Sequence, residues 1–235
     1  MNIYADRGNI AVLRQRLRWR SMELEVTEVE AGDIIDPAAH DLYYLGGGQD
    51  RDQAMVAQDL ANDKGDALRS AAADGAAQLY VCGGIQLAGR WYEAVDGTRL
   101  PGVGLLDLET TAGATRLIGD LHIDAFLDGE VKQVIGYENH AGRTHLGTDT
   151  TALGHVVSGH GNNGTDAQEG AVTNRVIGTY LHGPLLPKNP WLADKVIAWA
   201  LAHRYDEPPS LEPLDDHLEL AAQATAIERA VLTDR

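Results

Sequence analysis

Through the first 90 residues, short apolar runs bounded by glycine and acid alternate with stretches of helical spacing, and that alternation restricts the chain to βαβ units around a mostly parallel sheet. Asn2 to Ala5 reads as the first strand. Ile10, Leu13 and Leu17 recur at helical spacing after the N-cap candidate Asn9, which predicts a helix over Ile10 to Met22. Leu24 to Val29 and Leu42 to Leu45 read as strands, the second ending in Gly46-Gly47-Gly48. A helix follows from Asp50 to about Ala73. Ala77 to Val81 is a buried strand that runs directly into Cys82-Gly83-Gly84 and the helical pattern Ile85 to Ala88. From Gly102 to Tyr137 the pattern shifts to longer strand-like runs, Leu105 to Leu108, Thr115 to Phe126 and Lys132 to Tyr137. Asp128-Gly129 is the expected hairpin turn, so this half is antiparallel or mixed. Gly159 to Gly164 reads as a surface loop and Val176 to Leu181 as a late strand ending at His182-Gly183-Pro184. Trp191 to His203 reads as a helix, Glu207 to Asp216 as an acidic, proline-containing linker, and Leu218 to Leu232 as a last helix.

Charge narrows the function. The 235 residues carry 19 Lys and Arg against 35 Asp and Glu, a formal charge of -16. A nucleic-acid binder needs basic surface to displace counterions, and docking on anionic lipid needs the same, so neither is expected. The arginines at 14, 16, 18 and 20 read as a solvated helix face, with a patch for an acidic partner second. The N-terminus has acid and base within seven residues and no apolar h-region, and no run is long enough to span a bilayer; a cytoplasmic protein is expected. One cysteine cannot form an internal disulfide or a multi-cysteine zinc site. His140 with His145, and His155 with His160, lack diagnostic metal spacing, and no metal is assigned.

Cys82 sits on a strand-to-helix turn, where a nucleophile is held clear of the sheet and glycine N–H groups can face a reacting oxygen. The helix N-terminus behind it favours the thiolate. A thiol nucleophile needs a base from elsewhere in the chain, and His182 is preferred among nine histidines. It follows an apolar strand at a turn forced by Gly183 and Pro184, and strand carboxyl ends face the usual crevice. Gly47 or Gly48 and Gly83 are the candidate oxyanion donors.

Five motifs in order carry a family resemblance: YADRGNI, YYLGGGQDRDQ, VCGGIQLAG, GYENHAGRT and GTYLHGPLLPKNP. Together they resemble class I (triad-type) glutamine amidotransferases of the cobyric acid synthase-like type, and within them the glutaminase subunits of lipid II isoglutaminyl synthases. The resemblance runs over residues 1–204, leaving 205–235 as an acidic linker and helix outside the amidotransferase domain. It implies a flavodoxin-like α/β fold and hydrolysis of L-glutamine through a thioester on Cys82. Arg116 would grip the substrate α-carboxylate, with Gln86, Asn139 and His140 as further substrate-binding candidates. For the Glu138-Asn139-His140 segment, an amino-group contact and a structural turn stand equally open.

No GxxxxGK[ST] phosphate loop occurs in the chain. The resemblance therefore implies that ATP and Mg²⁺ belong to a MurT-like Mur ligase subunit, the expected heterodimer partner, which would amidate the D-glutamate of lipid II. A cobyrinate-type synthase as ammonia acceptor, or a non-catalytic glutamine-sensing module, are the alternatives. Two residues after His182, where class I amidotransferases place a glutamate, stands Pro184. Either another carboxylate of this chain folds in or, as the resemblance implies, an aspartate of the partner completes the triad.

Overall fold

The computed structural model describes residues 7–48 and 50–233, so the strand expected at Asn2 to Ala5 lies outside the described residues. The chain runs α1 (Arg7–Trp19), β1 (Leu42–Leu45), α2 (Asp50–Asp59), a π-helical turn (Leu60–Lys64), α3 (Gly65–Asp74), β2 (Ala77–Val81) and α4 (Gly83–Ala88). It continues through β3 (Trp91–Glu93), β4 (Arg99–Pro101), β5 (Leu108–Leu127), β6 (Glu130–Leu146), β7 (Gly154–Ser158), β8 (Gln168–Glu169), β9 (Ala171–Thr173) and β10 (Val176–Thr179). The helices α5 (Leu185–Lys188), α6 (Pro190–Arg204) and α7 (His217–Thr233) complete it.

Two sheets share one core. The first has strand order β1-β2-β10-β9, with β1, β2 and β10 parallel and β9 antiparallel at its edge. All five residues of β2 are buried, as befits a mostly apolar strand covered on both faces, and its one polar side chain, Gln78, is hydrogen-bonded to the Leu68 carbonyl and to Tyr80. The second sheet is built on the long β5–β6 hairpin, whose turn places Asp128 at φ 50° and Gly129 at φ 78°, a geometry that Asp-Gly accepts readily. Along its other edge β5 pairs in parallel with β3 near its start and antiparallel with β7 near its end. The sheets meet where the Tyr137 N–H donates to the His182 carbonyl and the His182 N–H donates to the Tyr137 carbonyl, both at 3.0 Å.

Several expectations are corrected. Leu24 to Val29 forms no strand and pairs with none among the described residues; Val26 and Val29 are exposed, and interleaved acids leave no apolar face to hold a sheet edge. The Leu105 to Leu108 run turns before entering β5 at Leu108, and the late strand ends at Thr179. Gly161 to Asn163 is packed inside, not on the surface. Asn162 brackets Gly170, donating from Nδ2 to its carbonyl (2.9 Å) and accepting its N–H at Oδ1 (2.8 Å). The arginine face is also not wholly solvated. Arg16 and Arg20 have side chains only 3% exposed; Arg16 clasps Asp194 of α6 and Asp216 of the linker, and Arg20 shares Asp194.

The C-terminal helix lies across the hairpin. Arg229 pairs with Asp120 of β5, Ser158 Oγ donates to the Ala230 carbonyl, and Gln223 Nε2 donates to Asn189 Oδ1 at 2.9 Å. Asn189 in turn donates to the Ile135 and Leu185 carbonyls, stitching β6 to α5.

Candidate active site

Cys82 takes φ 54° and ψ −110°, a conformation that costs an L-residue strain and that the surrounding contacts must enforce. They do so from three sides. Its N–H donates to the Thr179 carbonyl (2.8 Å), its carbonyl accepts the Ile85 N–H (3.1 Å), and α4 lies against the end of β1. A Cβ added at Gly84 would stand 2.5 Å from the Leu45 carbonyl oxygen, so only glycine allows this approach. The elbow and the triple-glycine turn therefore share one cleft, lined by Gly48, Cys82 and Gly83. Gly47 is buried next to Gly48 in the same turn.

The opposite wall comes from the hairpin: Arg116, Asn139, His140, Ala141 and Gly142, with Gln86 and Tyr92 closing the sides. Arg116 is not in a regular strand. Ala112 pairs with Gly142 and Leu117 with His140, so residues 113–116 bulge out opposite Ala141. Arg143 braces that bulge, donating from Nη1 to the Ala141 carbonyl and from Nη2 to the Thr115 carbonyl. Arg116 donates from Nε to Asn139 Oδ1 and from Nη2 to the Asn139 carbonyl, both at 2.6 Å. The guanidinium is thereby aimed into the cleft with Nη1 unengaged among the described residues.

His182 is buried, 1% exposed, and does not itself line the cleft. The β2–β10 register sets Thr179 beside Val81, so Cys82 and His182 leave the same carboxyl end of adjacent parallel strands. Burial, reinforced by His140, Lys188 and Arg116, lowers the His182 imidazole to about 4. It is neutral at pH 7.

His140 is also lowered to about 4, mainly by burial. Its ring stacks on Tyr180 at 3.5 Å, Nδ1 meets the Gly142 carbonyl at 2.9 Å, and Nε2 faces Glu138 at 3.4 Å. The neutral ring has one N–H, which Nδ1 donates to the Gly142 carbonyl, and with the stacking on Tyr180 this holds it as a fixed wall. Tyr180 OH reaches Thr144 and accepts from Gln86 Nε2 at 3.2 Å, tying the segment just after β10 to the elbow helix.

Two buried carboxyls stand behind this wall: Glu138, marked in sequence only as part of its segment, and Glu169, which escapes sequence reading. Glu138 accepts the N–H groups of His160 and Gly161. Glu169 accepts Thr179 Oγ1 (2.7 Å) and the Tyr180 N–H (2.8 Å), and burial raises it to about 7. Tyr92 was likewise unmarked, a strand residue with no local motif. Among the described residues no group of three His, Cys, Asp or Glu could hold a metal, and no helix is long and apolar enough to cross a membrane.

The chain matches the CobB/CobQ-like glutamine amidotransferase domain over residues 1–190. It is 39% identical over 230 residues to the GatD subunit of the glutamine-hydrolysing lipid II isoglutaminyl synthase of Staphylococcus aureus, covering 98% of this chain and 92% of that protein. Against the Streptococcus pneumoniae GatD subunit the identity is 36%, covering 93% and 83%. The cobyric acid synthase of Pelotomaculum thermopropionicum is 36% identical over 59% of this chain but only 28% of its own length. Among solved structures, a glutamine amidotransferase superposes with TM-score 0.52 at 14% identity, covering 81% of this chain and 93% of the other. PurLQS from Thermotoga maritima gives 0.52 at 16%, covering 95% and 91%. At such identities these structures establish the fold alone: a glutamine amidotransferase α/β architecture.

Proposed function

The chain belongs to the CobB/CobQ-like glutamine amidotransferases, and from that premise we propose that it is the glutaminase subunit of a lipid II isoglutaminyl synthase. The observation that carries the catalytic part is the cleft that sets Cys82, on its strained elbow, across from the braced guanidinium of Arg116. Arg116 takes the glutamine α-carboxylate through charge-assisted hydrogen bonds. Cys82 Sγ attacks the carboxamide carbon while His182 accepts the thiol proton, and the oxyanion is met by the N–H groups of Gly83 and of Gly47 or Gly48. His182 returns the proton to the departing ammonia. Water then attacks the thioester, with His182 again as base, releasing glutamate and restoring the thiol.

Ammonia passes to a Mur-ligase-like partner that holds ATP and Mg²⁺ and amidates the D-glutamate of lipid II. Similarity to GatD subunits over nearly the whole chain favours this acceptor, whereas cobyric acid synthases are matched over less than a third of their length.

An imidazole held at about 4 is a weak base for the Cys82 thiol. The charged neighbours acting on it, Lys188 and Arg116, are cationic, and Pro184 occupies the local acid position. A partner aspartate beside His182 would raise it by about 1 to 3 units, a gain of roughly 10- to 1000-fold. The test is ammonia release by the isolated chain and by the chain with its ligase subunit. Turnover should rise with the partner, fall back when the partner's aspartate is replaced, and vanish in Cys82→Ser, whose parent takes one adduct of a glutamine-mimicking electrophile. Equal turnover with and without the partner would refute the shared triad, and full activity of Cys82→Ser would refute the mechanism.

A further inference from the structure

Behind the cleft, a series of buried hydrogen bonds runs from the substrate wall to the strand that carries His182. It starts at Glu138, one residue before the cleft-lining Asn139, whose carboxyl takes the N–H groups of His160 and Gly161. The next residue, Asn162, brackets Gly170 with two hydrogen bonds and so fixes the backbone beside Glu169. Gly170 has φ +66° and packs so closely that a Cβ there would stand 2.7 Å from the Gly178 carbonyl, in β10 itself. From this anchored position Glu169, wholly buried, takes Thr179 Oγ1 at 2.7 Å and the Tyr180 N–H at 2.8 Å on one oxygen, Oε1. Thr179 Oγ1 accepts the Leu181 N–H at 3.0 Å, so all three residues before His182 hang on a single carboxyl oxygen.

We infer that Glu169 is a positioning residue for His182: its Oε1 fixes the Thr179–Leu181 segment and thereby the place from which the base faces the thiol. The inference rests on the reading of His182 as the base. Glu169 does not line the cleft, and its second oxygen, Oε2, has no hydrogen-bond partner among the described residues. A carboxyl raised to about 7 is largely neutral below that pH, so glutamine, which keeps the accepting oxygen, reproduces its geometry.

Two measurements separate positioning from mere stability. In the complex with the ligase subunit, Glu169→Ala should lower kcat for glutamine by about 10- to 100-fold, the scale of an ångström-sized misplacement, with KM changed less than about twofold because Arg116 is braced from the hairpin. Glu169→Gln should recover kcat to within about threefold. The second measurement needs no glutamine: an NMR titration of His182 in the isolated chain. Wild type should titrate near 4, Glu169→Ala should move by at least about one unit toward the ordinary value near 6.5 as the imidazole leaves its buried seat, and Glu169→Gln should stay with wild type. Should Glu169→Ala fail to fold, Thr179→Val, which removes one donor to Oε1 and the acceptor of the Leu181 N–H, takes its place with the same shifts expected. A folded Glu169→Ala with wild-type kcat and an unmoved His182 titration overturns the inference. A wild-type complex that does not hydrolyse glutamine overturns the functional reading instead, and the titration still decides the role of Glu169.

Discussion

Replacing Gly84 by Ala tests whether the elbow and the oxyanion turn act as one unit. The added methyl would stand 2.5 Å from the Leu45 carbonyl oxygen and 3.6 Å from that of Gly46. Ordinary contact is about 3.5 Å, so α4 and the glycine turn must part by about 1 Å. Neither side yields cheaply. Leu45 is held in register with Tyr80 in the parallel sheet, and α4 is fully buried. Overpacking of this kind costs about 1 to 3 kcal/mol, or roughly 2 to 10 °C in Tm for a chain of this size. The catalytic loss should be larger, because the gap opens between Cys82 and Gly48, where the oxyanion must be met from both sides. A 1 Å misplacement costs on the order of 100-fold. Glutaminase kinetics of the complex and a melting curve are the assays. A variant with kcat above half of wild type would refute the claim that this close approach sets the oxyanion geometry.

Arg116→Ala should raise the KM for glutamine by roughly 10- to 150-fold, the worth of about 1.5 to 3 kcal/mol for a charge-assisted pair, and unchanged saturation would assign Arg116 to structure. Arg16→Met strands Asp216 beside Asp194, and urea denaturation should show about 3 to 5 kcal/mol lost; a loss under about 1 kcal/mol would mean the linker is held elsewhere. His182 and His140 titrate near 4 when folded and 6.5 when unfolded, so their stability is whole above 6.5 and lost as pH falls from there through 4, up to about 3 kcal/mol each. Glu169, raised from 4.5 to about 7, runs the other way, stabilising below 4.5 and losing that as pH rises through 7. Glu169→Gln should therefore make the fall in stability between pH 6.5 and 4 steeper than in wild type, as read by urea midpoints at several pH values, and an equal slope would contradict the raised carboxyl.

The elbow could be read in sequence because its signal is local: an apolar strand, then Cys-Gly-Gly, then helical spacing. The place of His182 past the carboxyl end of a strand was readable for the same reason, an apolar run broken by Gly-Pro. Glu169 was not, since an acid looks solvent-facing unless its distant donors are known, and its partners lie ten and eleven residues away, at the end of β10 and just past it; Glu138 was marked only with its segment, not as a buried carboxyl. The bulge that aims Arg116 left a faint trace in Ala112-Gly113-Ala114, small residues that let a strand buckle. Arg16 and Arg20 could have been found, because Leu13, Arg16, Leu17 and Arg20 form one i, i+3, i+4, i+7 stripe facing the core. Leu24 to Val29 misled because alternation states which faces a segment offers, not whether a neighbouring edge exists to take it.

The last helix is more than a cover over the hairpin. Through Gln223 it holds Asn189, and Asn189 holds both the hairpin at Ile135 and α5 at Leu185, three residues beyond His182. Load placed on α7 is thus delivered within a few bonds to the loop bearing His182, and Arg229 and Ala230 tie the same helix to β5 and β7. Any protein, fusion or protease that grips residues 217–233 has a lever whose short arm ends three residues from His182.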